Sequence, residues 1–247
     1  MKRFVALTCE ALSRTVYSLA AQSPNTITLR MFRQGLHDRP KNLRAALQAE
    51  LDAIPAGEYD AVLLVYGMCG NSTVGLTARE TPLVIPRAHD CITLYLGSHR
   101  RYQEEFERHP GTYWYSLDYM ERAEKGTSVA LGAAGIADQE AEYERYVAKF
   151  GQEAADALME EMRSWSQHYT RAAFIDTGFG HSEPYEQMAR EKAARENWVF
   201  ERKQGNNRLL AMLLNGDWGE DEFLVVPPHH RIEQSGDEGL IRAVPVA

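Results

Sequence analysis

The sequence predicts an α/β fold: a Rossmann-like, mostly parallel sheet flanked by helices, with a helical insertion around residues 100–168. Short apolar, β-branched runs recur along the first hundred residues, and segments with helical periodicity lie between them. Strands that alternate with helices form βαβ units, which place the strands parallel in one sheet. We therefore expect residues 1–247 to form one compact α/β domain, or two packed α/β halves, 1–100 and 170–247, joined by a helical segment.

Local patterns predict each element of the first hundred residues. Ala61–Tyr66 is continuously apolar, which is typical of a strand buried on both faces. Leu43, Leu47 and Leu51 recur at the spacing of one helix face. The predicted strands are Phe4–Leu7, Thr26–Phe32, Ala61–Tyr66 and Pro82–Ile85, and the predicted helices are Glu10–Ala21 and Asn42–Ile54.

The pattern changes between Ser98 and His168. Aromatic residues are frequent there, strand signals are few, and helical spacing predicts helices that cover one end of the sheet. The aromatic run 113–115 is expected to pack in the core or to line an apolar pocket. After this segment the predicted strands are Ala172–Asp176, Trp198–Phe200 and a last strand Phe223–Val226, and the predicted helices are Pro184–Glu196 and Arg208–Leu214.

Composition excludes several classes of protein. The 247 residues include 27 Lys and Arg against 35 Asp and Glu, a net charge of −8, which argues against a general nucleic-acid-binding protein. No apolar run approaches the roughly 18–20 residues of a membrane helix. The three cysteines are an odd number, and the N-terminus has the pattern of a strand rather than a signal peptide. We therefore expect a cytoplasmic protein with reduced thiols.

Every cysteine of the chain follows a predicted strand. Cys9 comes after the first strand, Cys69 lies three residues after Tyr66, and Cys91 follows Pro82–Ile85. The carboxyl ends of parallel strands lie at one edge of a sheet, where α/β proteins bind ligands. Since adjacent strands are about 4.8 Å apart, we expect the three cysteines to lie within about 5–10 Å of one another.

Three thiolates at one edge are candidate metal ligands. They leave one coordination position open, on a tetrahedral Zn²⁺ or on one iron of a [4Fe–4S] cluster, and a catalytic metal centre needs such a position. We expect the cluster, with Zn²⁺ as the alternative. Two competing interpretations stay open. Each cysteine alone is compatible with core packing, and His89 could close a structural Cys₃His zinc site.

Polar residues that follow the same strands are candidates for binding and proton transfer. The glycine-rich loop after the third predicted strand offers donors, and a guanidinium after the fourth could clamp an anion or form a salt bridge to Asp90. The predicted substrate-binding residues are Arg87, Asn71, Ser72 and Thr73, and the predicted catalytic residues are His89 and Asp176.

Four segments carry a resemblance to a known family: Tyr66–Asn71, Ile85–Ile92, Leu96–Ser98 and Gly111–Trp114. Together with Cys9-Glu10, they resemble the uncharacterised protein family numbered 1638 among the domains of unknown function. The resemblance covers roughly residues 3–230. The family's context, often beside corrinoid-dependent methyltransferase components, implies one-carbon metabolism as a setting and such components as partners. It implies no particular reaction.

Two functions from different classes follow. The first is a metal-dependent enzyme, a lyase, hydrolase or transferase, in which the three cysteines hold the metal and its open site acts on a small anionic, sulfur- or methyl-bearing substrate. The second is a non-catalytic accessory or binding protein of a corrinoid-dependent methyltransferase system. A zinc-stabilised fold with its activity elsewhere is the third possibility.

Overall fold

A computed structural model describes residues 1–123, 130–131, 139–166, 168–236 and 239–246. Short 3₁₀ helices precede the first two α-helices, at Glu10–Leu12 and Gln34–Asp38. The strands are β1 (Arg3–Cys9), β2 (Thr26–Phe32), β3 (Ala61–Val65), β4 (Leu83–Pro86), β5 (Thr112–Ser116), β6 (Arg171–Asp176), β7 (Val199–Gln204), β8 (Phe223–Val226), β9 (His230–Gln234) and β10 (Ile241–Pro245). The helices are α1 (Ser13–Ala20), α2 (Pro40–Asp52), α3 (Cys91–Leu96), α4 (His99–Arg108), α5 (Leu117–Met120), α6 (Gln139–Phe150), α7 (Gln152–Ser166), α8 (Glu183–Arg195) and α9 (Arg208–Asn215).

The chain divides into two compact units. Residues 1–102 and 205–247 form the first, and residues 103–204 form the second. Each contains a sheet with parallel strands and flanking helices, so the predicted α/β class is confirmed. The segment 170–247 is divided between the units, because β6 and β7 pair with β5 while β8 pairs with β4.

The first unit contains a five-stranded sheet with the order β2-β1-β3-β4-β8. Its first four strands are parallel, and β8 is antiparallel to β4. Every residue of β3 and β4 is buried, which explains their continuously apolar sequences. The side chains of β2, at the edge of the sheet, keep partial exposure.

One core of the first unit forms against helix α2. Leu43, Leu47 and Leu51 pack with Val5 and Leu7 of β1 and with the inward side chains of the neighbouring strands. The helical spacing of the three leucines therefore matches the face that they bury. Strand β8 is not the last strand, since β9 and β10 follow it as an antiparallel pair in the same unit.

The second unit has a parallel three-stranded sheet, β5-β6-β7. Strand β5 lies within the segment predicted to be helical, so that prediction is wrong at residues 112–116. The aromatic run 113–115 forms the middle of this buried strand, which agrees with the β-propensity of aromatic side chains. Helices α5, α6 and α7 follow β5 as predicted, while residues 124–129, 132–138 and 167 lie outside the described ranges.

No helix in the described part of the chain is long and apolar enough to cross a membrane.

Candidate functional site

Three neighbouring strands of the first unit each lead to one cysteine. Cys9 is the last residue of β1, Cys69 lies in the loop after β3, and Cys91 is the first residue of α3, which follows β4. Strands β1, β3 and β4 are adjacent and parallel, so their carboxyl ends lie at the same edge of the sheet. We call these three residues the cysteine edge.

The order of the strands places a switch point at the cysteine edge. The chain leaves β1 for β2 on one side and then crosses to β3 on the other side of β1. Open α/β sheets bind ligands in the crevice that such a reversal leaves at the carboxyl ends of the strands. Cys9 and Cys69 follow the two strands that border this crevice.

The loops after β3 and β4 are held together by backbone hydrogen bonds. The N–H of Met68 donates to the Ala88 carbonyl at 2.8 Å, and the N–H of Cys69 donates to the His89 carbonyl at 2.9 Å. Gly67 permits this approach, because a Cβ atom there would lie 2.7 Å from the backbone nitrogen of Asp90. The contact fixes the loop that carries Cys69 against the segment that carries Cys91.

The backbone is left-handed at three consecutive residues of this loop. The φ angles are 45° at Cys69, 62° at Gly70 and 66° at Asn71. Left-handed backbone is costly for a residue with a Cβ atom and persists only where the surroundings enforce it. Here the Ser72 hydroxyl donates to the Cys69 carbonyl at 2.6 Å, and Arg44 donates to the Asn71 carbonyl at 2.6 Å.

Asp90 caps helix α3 directly before Cys91. Its carboxylate accepts hydrogen bonds from the N–H groups of Ile92 and Thr93. Burial raises the pKa of Asp90 above its ordinary value, and these hydrogen bonds oppose the shift only in part. This cap was not predicted, although an Asp before an apolar run is a recognised signal for a helix start.

Burial keeps the three thiols protonated at neutral pH. Burial is the main cause for each of them and raises the pKa of Cys9 to about 11. Burial also raises the pKa of Cys69 and Cys91, and the charge of Cys9 contributes to both shifts. All three cysteines are free, and each residue keeps partial solvent exposure.

The side chains as placed do not form a preformed site for a single ion. Within the described ranges, no group of three or more His, Cys, Asp or Glu side chains is arranged to hold a metal ion. The cysteines thus share an edge and an electrostatic environment, and their sulfur atoms do not converge on one coordination centre.

The loop residues predicted to bind substrate contact their own backbone. Ser72 donates to the Cys69 carbonyl, as described above, and the buried Thr73 hydroxyl donates to the Gly67 carbonyl at 3.3 Å. Asn71 has an exposed side chain next to Cys69. These hydroxyls therefore shape the loop, and substrate binding by the three residues stays a prediction.

Arg87 donates to three backbone carbonyls of the first unit. Its Nε bonds to Glu220 at 2.9 Å, and its Nη1 bonds to Gly239 and Ile241 at 2.6 Å each. The guanidinium thus ties the end of β4 to distant parts of the chain. The predicted alternative was a salt bridge to Asp90 or another acidic neighbour, whereas the side-chain contacts of Arg87 in the described part of the chain are all to backbone carbonyls. Its role as an anion clamp stays a prediction.

His89 is exposed and packs beside two aromatic rings. Its ring centroid lies 5.3 Å from that of His99 and 6.1 Å from that of Tyr102. The Tyr102 hydroxyl in turn donates to the Asp90 carboxylate at 3.5 Å. His89 lies in the loop between β4 and α3, two residues before Cys91.

Asp176 lies at the end of β6, in the second unit, and forms an ion pair with Arg202. Burial alone would raise the pKa of Asp176, but the hydrogen bonds from Arg202 and from the N–H of Gly178 lower it below the ordinary value. The carboxylate is therefore ionised at neutral pH and is poorly suited to donate a proton.

The structure adds Tyr66 and Glu10 to the surroundings of the cysteines. Tyr66 is buried directly after β3, and Glu10 follows Cys9. Burial raises the pKa of Tyr66 well above its ordinary value, and the charges of Cys9, Cys69 and Glu10 raise it further. Tyr66 was predicted only as the end of a strand. The alternation of side chains along β3 was the signal that could have identified it.

A protein-family model described as "Protein of unknown function (DUF1638)" matches residues 31–214. No curated protein and no solved structure matches the chain.

Proposed function

Because the chain belongs to the DUF1638 family, whose function is unknown, we propose a function from its own residues. Cys9, Cys69 and Cys91 bind a metal centre with an open coordination position that takes a small anionic, sulfur- or methyl-bearing substrate. The proposed metal centre is a [4Fe–4S] cluster, with Zn²⁺ as the alternative. The protein is then a metal-dependent enzyme of the reducing cytoplasm, where thiols remain available as ligands.

One observation carries this proposal: the three cysteines of the chain follow three adjacent parallel strands at the same sheet edge. Core packing explains a cysteine at one such position, because free cysteine is often buried. It gives no reason for all three to lie at the edge where open α/β sheets bind ligands.

The electrostatics of the cysteine edge support a bound cation. Free thiols with raised pKa values are poor nucleophiles at neutral pH, because the thiolate is the reactive form. A cation among them favours the thiolates, and a coordinating thiol is deprotonated outright. The same three residues therefore suit metal binding better than nucleophilic catalysis by an isolated thiol.

The spread of the three strands favours a cluster over a single ion. Two thiolates on one tetrahedral Zn²⁺ lie about 3.8 Å apart, since each Zn–S bond is about 2.3 Å long. Three adjacent strands span about 10 Å, because neighbouring strands are about 4.8 Å apart. Ligands of a cluster bind different iron atoms and are farther apart. Rotation between χ1 rotamers moves a sulfur by about 3 Å, which allows the sulfur atoms to turn from their present positions toward a bound cluster.

The other residues of the edge have proposed roles around the metal centre. The metal supplies a Lewis acid at its open position. His89 is the proposed proton-transfer residue, because it is exposed and lies in the loop that leads to Cys91. Asn71 is the proposed donor to substrate, since its side chain is exposed beside Cys69.

The test is metal analysis of the protein purified without oxygen. We expect iron and sulfide in the parent protein, together with the broad visible absorbance of an iron–sulfur cluster, or zinc if the alternative holds. Cys9→Ser, Cys69→Ser and Cys91→Ser should each lose most of the metal. Met68→Leu is the matched control, because Met68 is buried beside Cys69 and is no proposed ligand.

Two other outcomes would contradict the proposal. A folded parent protein without metal, after reconstitution with iron and sulfide or with zinc, would favour the non-catalytic accessory protein of a corrinoid-dependent methyltransferase system. Unfolding of every Cys→Ser variant, with one tightly bound zinc in the parent, would indicate a structural zinc site. Circular dichroism of each variant distinguishes loss of the metal from loss of the fold.

A further inference from the structure

Tyr66, which lies between Cys9 and Cys69 in the sequence and directly after β3, has a buried hydroxyl. The residue follows β3 directly, and only 2% of its surface is exposed. Among the residues that the structure describes, none forms a hydrogen bond with this hydroxyl. Burial of a hydroxyl without a partner is unfavourable, so such a group needs an explanation.

The strand register places Tyr66 beside Cys9. Val5 pairs with Val62 and Leu7 with Leu64 in the parallel ladder between β1 and β3. Side chains two residues further along each strand point to the same face. Those residues are Cys9, the last residue of β1, and Tyr66, the residue directly after β3, and both pack in the core cluster on that face.

Packing and charge place the same hydroxyl near Cys69. Tyr66 belongs to the core cluster against which Cys9 and Cys69 pack. Burial raises the pKa of its hydroxyl most, and Cys9, Cys69 and Glu10, when ionised, raise that pKa further. The Glu10 carboxylate accepts a hydrogen bond from the backbone N–H of Gln34 at 3.3 Å. The Tyr66 side chain thus lies in the core cluster against which two proposed metal ligands, Cys9 and Cys69, also pack.

We propose that the Tyr66 hydroxyl is a substrate-binding group, which donates a hydrogen bond to a carboxylate oxygen of the small molecule bound at the cysteine edge. A carboxylate fits because an anionic oxygen is a strong acceptor for an O–H donor, whereas sulfur is a weak one. This inference rests on the proposed function and names a carboxylate as the chemical class of its substrate.

The test compares the parent protein with Tyr66→Phe, which removes only the hydroxyl. Glycolate is the probe, since its carboxylate can coordinate the open iron, and imidazole is the reference probe, since it coordinates through nitrogen. Titrations followed by visible absorbance or electron paramagnetic resonance report both affinities. We expect Tyr66→Phe to keep the metal, to bind imidazole like the parent, and to bind glycolate about tenfold more weakly.

A stability measurement gives a second readout that is independent of the metal. The metal-free Tyr66→Phe protein should unfold at the same temperature as the parent or higher, because it loses an unpaired buried hydroxyl. Tyr95→Phe is the matched control in the same unit. The Tyr95 hydroxyl donates to the Ala11 carbonyl, so this variant should unfold at a lower temperature and bind glycolate like the parent.

The outcomes separate this inference from the proposed function. A parent protein that holds no metal contradicts both. A metal-loaded Tyr66→Phe that binds glycolate as tightly as the parent contradicts only the role of Tyr66. A lower unfolding temperature of metal-free Tyr66→Phe also contradicts it, because the hydroxyl would then have a partner within the protein.

Discussion

At Cys69 the chain combines a proposed metal ligand with a backbone conformation that residues with a Cβ atom avoid. Its φ of 45° is held by the hydrogen bond that its N–H donates to the His89 carbonyl and by the one that its carbonyl accepts from the Ser72 hydroxyl. Strain of this kind is commonly found where a side chain must be presented in a fixed direction. The strain lowers the stability of the fold, and glycine and alanine variants measure this cost separately from the effect of the thiol.

Cys69→Gly should be more stable than Cys69→Ala. Both variants lose the sulfur, but glycine adopts the left-handed backbone without the cost of about 1–2 kcal/mol that a Cβ atom adds. Urea unfolding of the two metal-free proteins measures the difference. Cys9 offers the matched pair, because its φ is −69°. At Cys9 we expect the Ala variant to be more stable than the Gly variant. If the Ala variant were also the more stable one at position 69, Cys69 would not be left-handed in solution.

The positions of the cysteines were predictable from the sequence, but the conformations around them were not. The continuously apolar runs identified the strands that precede each cysteine, and parallel pairing then required a common edge. The left-handed turn at Cys69 depends on the hydrogen bond from its N–H to the carbonyl of His89, which lies 20 residues further along the sequence. Arg87 bonds to Gly239 and Ile241, which lie more than 150 residues further along. Local patterns carry no information on such partners.

At the scale of elements, the loops after β3 and β4 behave as one structure. Two backbone hydrogen bonds join them, and Gly67 makes their close approach possible. Since one loop carries Cys69 and the other leads to Cys91, the distance between these cysteines depends on this contact.

Gly67→Ala should destabilise the protein by about 1–3 kcal/mol, because the new methyl group would overlap the backbone of Asp90. It should also reduce metal content, because the methyl group would push the loop that carries Cys69 away from the loop that leads to Cys91. Chemical denaturation and metal analysis measure the two effects. Gly35→Ala is the control, because a Cβ atom at Gly35 would contact nothing within 4 Å. Equal stability of the two variants would contradict the close approach.

Elements were predictable where burial produces a simple pattern. Strands β1, β3 and β4 follow from continuous apolar runs, β2 from an alternating pattern, and helix α2 from leucines at helical spacing. Strand β5 was missed because its aromatic run lies between helical segments and is only five residues long. A short apolar run of that length does not distinguish a strand from a buried helical turn.

At the scale of the whole molecule, the two units could not be derived from local patterns. The chain returns to the first sheet after residue 204, and β8 pairs antiparallel with β4 across about 140 residues. The second sheet has its own parallel strands and its own core. Sequence periodicity predicts that strands exist, but the choice of partner depends on packing between distant segments.

A network of charges in the second unit makes stability depend on pH. Arg171 is almost fully buried and bonds to Glu105 at 3.0 Å, and Lys203 bonds to the same carboxylate at 2.7 Å. Burial alone would raise the pKa of Glu105, but these hydrogen bonds outweigh it and lower the pKa below the ordinary value of 4.5. A carboxyl group with a lowered pKa in the folded state stabilises the fold above its unfolded pKa. That contribution is lost as the pH falls through the folded-state pKa.

Glu105→Gln should therefore be less stable than the parent at neutral pH, and the difference should shrink as the pH falls below 4.5. Protonation then removes from the parent the charge that the substitution has already removed from the variant. The unfolding temperatures of both proteins, measured from neutral pH to below pH 4.5, give this difference in stability. Glu107→Gln is the control on the same helix, because Glu107 is exposed and has only a Gln103 amide as its described partner. A constant difference between parent and Glu105→Gln at every pH would show that the ionised carboxylate does not stabilise the second unit.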